Sequence, residues 1–103
     1  MAKFMFAYHG GGMPEGEEAQ AKAMAAWGAF MEKYGPVFVG DSNPVGMSKT
    51  VGANGVEDNG GSNPVSGYAF VEAATIEEAC AIASECPIIA DGGNVEVAPV
   101  VEM

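Results

Sequence analysis

The chain has 103 residues, a formal net charge of −10 and a hydrophobic fraction of 49%. A chain of this length forms one domain with a modest core, so we treat residues 1–103 as a single domain. Fourteen acidic side chains stand against four lysines, and arginine is absent, which argues against nucleic-acid partners, anionic membranes and bidentate binding of phosphate. No apolar run reaches the roughly 20 residues of a membrane span, and we expect an acidic cytoplasmic protein.

The first third of the sequence predicts a strand followed by a long helix. Phe4, Phe6 and Tyr8 alternate with smaller side chains, which indicates a strand with one aromatic face. Large side chains then recur at spacings of three and four, as on the buried face of a helix: Met24, Trp27, Met31 and Tyr34.

Glycines and prolines mark the helix ends and the middle of the chain. We expect the helix to begin near Pro14 and to end where Gly35 adopts a left-handed conformation. A second strand over 36–40 follows, and the dipeptide Asn54-Gly55 predicts a hairpin with a two-residue turn.

The last third predicts a strand, a capped helix and a final strand. Alternation over 68–73 indicates the third core strand, and Thr75 is a predicted N-cap with Glu78 three residues later. We expect Pro87 to end the helix before a last strand over 95–97. The predicted buried stripe of this helix consists of Ile76, Ala79, Cys80 and Ala83.

The cysteines and the single histidine give no metal or redox motif. Cys80 and Cys86 lie six residues apart, about 9 Å along one helix at roughly 1.5 Å per residue, which is too far for a disulfide. We therefore expect both to be reduced and packed as small hydrophobic side chains, with no bound metal and no cofactor.

The element order predicts an α+β fold. The sequence β-α-β-hairpin-β-α-β is the ferredoxin-like split βαβ arrangement, an antiparallel sheet with two helices on one face. Neither face of the predicted strands is clearly polar, so a second subunit is expected to cover the open face. We predict a homodimer that associates through the sheets.

Several short motifs together resemble the YCII-related domain family, which includes the DGPF-like proteins. The segments that carry the resemblance are Thr75-Ile76-Glu77-Glu78-Ala79, Cys86-Pro87, Gly92-Gly93-Asn94-Val95-Glu96-Val97, Ala26-Trp27-Gly28 and Gly40-Asp41-Ser42-Asn43-Pro44-Val45-Gly46. The chain departs from the family pattern at Ala98, where an arginine is frequent, and it lacks the Asp-Gly-Pro-Phe motif. The resemblance implies a dimeric α+β barrel with small-molecule pockets between the sheet and the helices or loops.

The candidate catalytic pair is His9 with Asp41. The family resemblance implies a His–Asp pair with its histidine on the first helix, but this chain has no helical histidine. His9 and Asp41 instead follow the first and second predicted strands, which run parallel with the third between them, roughly 10 Å apart at about 4.8 Å per strand. An imidazole held by a carboxylate suits general-base catalysis. The alternative is that His9 caps a strand end and Asp41 nucleates a turn.

Four further residues are candidate ligand contacts. Tyr8, Ser42 and Ser66 lie near the predicted pair and are placed to orient a substrate, while Trp27 either lines a pocket or packs in the core. Ser42 also opens a segment, Ser42-Asn43-Pro44-Val45, that recurs at 62–65. The two copies are either twin ligand-binding loops or turns flanking the hairpin, since Asn-Pro begins turns well.

Two function classes follow. The first is a small YCII-related enzyme with hydrolase- or lyase-type acid–base chemistry that uses His9 and Asp41. The second is a non-catalytic dimer that binds a small ligand or serves as an accessory protein. A third class, a haem-dependent or cofactor-free monooxygenase, rests only on analogy with related dimeric barrels.

Overall fold

The computed structural model of the chain describes residues 1–11 and 15–102. The predicted helix start at Pro14 lies outside the described residues. The elements in chain order are β1 (Ala2–His9), α1 (Glu17–Tyr34), a 3₁₀ turn (Gly35–Val37), β2 (Asn43–Pro44), β3 (Thr50–Gly52), β4 (Gly55–Glu57), β5 (Val65–Ala73), α2 (Ile76–Ala83), α3 (Pro87–Ala90) and β6 (Asn94–Pro99).

The main sheet has the predicted topology. Within the described residues its strands lie in the order β2-β5-β1-β6, and each neighbouring pair is antiparallel. The third core strand, β5, therefore separates the first from the second, and the last strand pairs with the other edge of β1. The ferredoxin-like α+β prediction is confirmed.

The core lies between the sheet and the helices. The aromatic face of β1 and alternate residues of β5 pack against α1 and α2, because successive side chains of a strand point to opposite faces. Phe6 and Val71 are fully buried there, and Phe30 of α1 lies 5.7 Å from Phe38, ring centre to ring centre. The opposite sheet face carries Met5, Ala7, Tyr68, Phe70 and Ala98.

The predicted stripe of α1 is only partly correct. Trp27 and Tyr34 are half-buried against the core, whereas the side chains of Met24 and Met31 are exposed. Phe30 is the buried residue of the helix.

The second strand differs from the prediction in its position along the chain, and the hairpin differs in its register. Gly35 is right-handed (φ −46°), so the helix tightens into a 3₁₀ turn, and the left-handed glycine is Gly40 (φ 70°). The predicted strand over 36–40 is reduced to a bridge at Phe38, and the regular pairing with β5 is made by β2. The hairpin forms, but Gly52 pairs with Gly55, which places the two-residue turn one position earlier.

The second helix begins as predicted and ends differently. The Thr75 side chain accepts a hydrogen bond from the Glu78 amide, as an N-cap does. The helix ends at Ala83. Pro87 begins the short helix α3, because the first turn of a helix makes no intrahelical hydrogen bond through the backbone N–H that proline lacks. Of the four residues predicted to form the buried stripe of this helix, Ala79 and Ala83 are buried and Ile76 and Cys80 are exposed. Ile82, which was not predicted, is buried as well.

Candidate functional site

A cavity of about 640 Å³ lies beside the β2–β5 edge of the sheet. It is bounded by the end of β1, by α1, by the segment 42–45, by the start of β5 and by α3. Its volume falls within the roughly 300–1,000 Å³ usual for small-molecule sites.

Three aromatic side chains line the cavity from the core side of the sheet, and the fold positions each of them. Tyr8 is the last inward-facing residue of β1, Trp27 lies on α1, and Phe38 follows the 3₁₀ turn. Tyr68 is also a lining residue, but it belongs to the opposite face of β5. The rings of Tyr8 and Trp27 are 6.0 Å apart at 82° and pack edge to face, a favourable aromatic geometry. Gly67 leaves room for them, since a Cβ there would lie 3.2 Å from the Tyr8 ring.

A β-bulge places Ser66 at the cavity. The β1–β5 register steps from Tyr8 opposite Gly67 to His9 opposite Val65, so Ser66 is the unpaired residue. Its hydroxyl is buried and has no hydrogen-bond partner within the described part of the chain. Bulges are frequent next to active sites, where they redirect a side chain, and an unpaired buried hydroxyl costs about 1–3 kcal/mol.

The other polar groups of the cavity come from its rim. Ser42 and Asn43 belong to the first copy of the Ser-Asn-Pro-Val repeat, and the Asn43 amide donates to the Tyr68 hydroxyl at 3.4 Å. The carboxylate of Asp91, which follows α3, also lines the cavity. The described lining residues include no lysine, arginine or histidine.

Tyr8 also contacts a buried thiol behind the cavity. Burial raises the pKa of Tyr8 well above its usual value, and the neighbouring Cys86 thiol adds to the shift. Burial likewise raises the pKa of Cys86 to about 11. Both groups therefore stay protonated at neutral pH, and the Tyr8 phenol is a hydrogen-bond donor rather than a base.

His9 is held on the other side of β1. It is 8% exposed, and its Nδ1 lies 3.0 Å from the Asn63 carbonyl oxygen while its Nε2 lies 3.0 Å from Glu96 Oε1. Each ring nitrogen thus faces an oxygen acceptor, and a neutral imidazole, which has one N–H, donates to only one of the two at a time. Neither nitrogen is bonded to Asp41. The carboxylate partner of the imidazole is Glu96, on the adjacent strand β6.

Asp41 is offset from His9 along the sheet. It is exposed, and it lies between Phe38, which bridges Val71, and Asn43, which pairs with Tyr68, whereas His9 pairs with Val65. No hydrogen bond joins His9 to Asp41 among the described residues. Asp41 precedes β2, whose Pro44 pairs with Gly67 level with Tyr8, instead of following the second strand as predicted.

The four predicted ligand contacts do come together. Tyr8, Trp27, Ser42 and Ser66 all line the cavity, although His9 and Asp41 are not among its lining residues in the described ranges. The first copy of the repeat lines the cavity over 42–45, whereas the second lies before β5 and supplies the Asn63 carbonyl to His9. Sequence reasoning missed Asp91, which directly follows α3, a helix that the sequence pattern did not predict.

Among residues 1–11 and 15–102, no group of three or more histidine, cysteine, aspartate or glutamate side chains is placed to hold a metal ion. In the same ranges, none of the helices combines the length and apolarity needed to span a membrane.

A second cavity, of about 730 Å³, lies between α1 and the end of α2. At its edge Glu85 accepts hydrogen bonds from the Tyr34 hydroxyl and from Lys33, the latter at 3.0 Å. The Tyr34 bond, and then the Lys33 bond, hold the pKa of Glu85 below its usual range. All three groups are solvated, so they form a surface cluster.

The comparisons with known proteins establish a relation at the level of fold. No protein-family model matches the chain, and no curated protein matches its sequence. Among solved structures, it is similar to the 5-chloro-2-hydroxyhydroquinone dehydrochlorinase TftG from Burkholderia phenoliruptrix, determined in complex with 2,5-dihydroxybenzoquinone. That match has a TM-score of 0.55 and 15% identity, and it covers 96% of this chain and 95% of the other. The chain therefore shares the α+β fold of that structure.

Proposed function

We propose that this protein binds a small, largely apolar ring compound in the aromatic cavity and carries out lyase- or hydrolase-type proton transfer on it. The observation that carries the proposal is the cavity itself, whose lining combines Tyr8, Trp27 and Phe38 with a bulged serine whose hydroxyl lacks a partner within the described ranges. The similarity to a dehydrochlorinase of the same fold supports this class of chemistry.

The acid–base groups of this reaction are a separate part of the proposal. Asp91 is the carboxylate at the cavity, so it is better placed than Asp41 to accept a proton from a bound molecule. Tyr8 stays protonated and serves as a donor. His9 enters the chemistry only if its bonds to Asn63 and Glu96 are broken.

That engagement of His9 favours a second candidate, a ligand-binding protein without turnover. The cavity then serves recognition only, and His9 fastens the sheet. Nuclear magnetic resonance spectra of ligands incubated with the protein separate the two candidates. New product signals support the enzyme, whereas bound but unchanged ligand supports the binding protein.

Substituting Ser66 tests the cavity as the binding site. Ser66→Ala removes a buried hydroxyl that has no partner among the described residues, so stability should stay unchanged or rise. Binding of an aromatic ligand that uses this hydroxyl should weaken by about fivefold, the equivalent of roughly 1 kcal/mol. Trp27 is the single tryptophan and lines the cavity, so its fluorescence reports binding directly.

Ser48→Ala is the matched control. Ser48 also has a buried hydroxyl without a partner among the described residues, but it lies outside the cavity lining. The Ser48→Ala substitution should leave ligand binding unchanged. Equal effects of the two substitutions, or a loss of stability in Ser66→Ala alone, would show that Ser66 has a structural role.

We further propose that the protein is a homodimer that associates through the open sheet face. Met5, Tyr68 and Phe70 give this face half-buried apolar side chains in a single chain. Phe70→Lys should convert the dimer to a monomer in light-scattering measurements, while Val51→Lys on the exposed hairpin should not. A monomeric parent protein would contradict the proposal.

A further inference from the structure

The charges around the aromatic cavity restrict the ligands it accepts. Asp91 is the acidic residue among those that line it in the described ranges, and it also lies at the second cavity, which Lys22 and Lys33 line. The lining of the aromatic cavity within the same ranges carries no positive side chain. An anionic ligand would lose its hydration there without gaining a charged partner, which is costly.

Three of the four lysines make contacts elsewhere, and the fourth, Lys22, lines the second cavity. Lys3 lies over the Phe70 ring at 5.0 Å, Lys33 bonds to Glu85 at 3.0 Å, and Lys49 bonds to Asp58 at 2.9 Å. With a net charge of −10, the field of the whole chain also attracts cations and repels anions.

The aromatic lining adds an attraction specific to cations. The negative faces of tryptophan and tyrosine rings attract ammonium groups within about 6 Å, and the effect grows when the site excludes water. Trp27 and Tyr8, at 82° to each other, form two walls of the cavity, and the thioether side chain of Met31 adds a polarisable contact. Ring faces and a carboxylate around one cavity are the groups that recognise an organic amine.

The geometry points to an organic cation, a protonated or quaternary amine carried on an apolar or aromatic body, as the ligand of this cavity. The inference rests on the proposed function and narrows its ligand class. In the bound state the ammonium group faces Asp91, and the apolar body packs against the rings of Trp27 and Tyr8.

Three probes of similar shape test the charge preference. Phenethylamine, 2-phenylethanol and 3-phenylpropionate carry a positive, a neutral and a negative group on the same ring, and each is titrated against Trp27 fluorescence. We expect the amine to bind at least about fivefold more tightly than the alcohol, with the carboxylate weakest.

Asp91→Asn and Asp41→Asn form the matched pair of variants. Both remove one negative charge from an exposed position, but only Asp91 lines the cavity. Asp91→Asn should reduce the preference for the amine to less than about twofold, and Asp41→Asn should preserve it.

The outcomes separate this inference from the proposed function. If the alcohol or the carboxylate binds as tightly as the amine, the cation preference is overturned while the binding cavity stands. An equal loss in both variants would also overturn it, because the preference would then come from net charge rather than from Asp91. Failure of all three probes to bind would remove the proposed function and this inference together.

Discussion

Replacing His9 should destabilise the protein without weakening ligand binding in the aromatic cavity. The ring is 8% exposed, and it ties β1 to the Asn63 carbonyl and to Glu96, each at 3.0 Å. The bond to Asn63 is worth roughly 1 kcal/mol. The Glu96 side chain is 67% exposed, so its bond contributes only roughly 0.5 kcal/mol. The void left by the ring adds roughly 0.5–1 kcal/mol.

His9→Ala should therefore lower the free energy of unfolding by about 2 kcal/mol, and Glu96→Ala by about 0.5 kcal/mol. The free energy of unfolding of a domain of this size is roughly 5–15 kcal/mol, so the loss expected for His9→Ala is large and measurable. Urea denaturation followed by far-ultraviolet circular dichroism gives both values. Asp41→Ala, at an exposed position, is the control and should change stability by less than about 0.5 kcal/mol.

Ligand binding to the same variants completes the test. Affinity for an aromatic probe in His9→Ala should stay within about twofold of the parent, because the ring is not among the residues that line the cavity in the described ranges. A loss of less than about 0.5 kcal/mol in stability, together with loss of binding or turnover, would refute the reasoning. His9 would then act on the ligand, as the sequence-based hypothesis holds.

Three other predictions concern stability and reactivity. Cys80 is exposed while burial raises the pKa of Cys86 to about 11, so a thiol reagent should modify Cys80 rapidly and Cys86 only after unfolding; two fast thiols would contradict this packing. The hydrogen bond from Tyr34 lowers the pKa of Glu85, so its contribution to stability is present above the usual value of 4.5 and is lost as pH falls through the folded-state value. Glu85→Gln should accordingly flatten the acid side of the stability curve, and an unchanged curve would argue against the bond. Thr75→Ala removes the N-cap of α2 and should cost about 1 kcal/mol in urea denaturation, whereas Thr75→Ser should restore most of it.

The fold was predictable wherever local patterns agree with the final packing. The alternation in β1 and β5, the N-cap Thr75 and the hairpin signal are all local, and each predicted the correct element. Element order then limits the topology to a few choices, of which the split βαβ arrangement buries the aromatic face of β1.

The failures occur where tertiary contacts override local signals. Gly35 and Pro36 correctly predicted the end of α1 at Tyr34, but the strand predicted over 36–40 is reduced to a bridge at Phe38, after a 3₁₀ turn that brings this ring to the core. Ile82 is buried and Ile76 is not, because the position of α2 on the sheet sets which stripe packs. The helical spacing of apolar residues in α2 allows either stripe to be buried, so it does not predict which one packs.

The candidate site was predictable in part for the same reason. Tyr8 and Trp27 lie on β1 and α1, whose apolar residues recur with a clear strand and helix period. Contact between the two side chains therefore follows once the fold is known. Asp91 enters the cavity only because α3 turns at Pro87, a feature that the sequence pattern did not predict. The bulge at Ser66 is likewise a property of strand pairing and has no signature within β5 alone.

Tyr8 and His9 are adjacent in β1 but contact different parts of the molecule. Neighbouring residues of a strand point to opposite faces, so Tyr8 enters the aromatic cavity while His9 turns toward Glu96 on the other side. Two adjacent residues of the strand therefore contribute to separate places, Tyr8 to the cavity proposed to bind the ligand and His9 to a contact with β6. Because the open face is also the proposed dimer face, His9 and Glu96 are expected to influence subunit association before they influence the cavity. A variant such as Glu96→Ala should thus change the monomer–dimer equilibrium in sedimentation measurements more than it changes the Trp27 signal of a bound ligand.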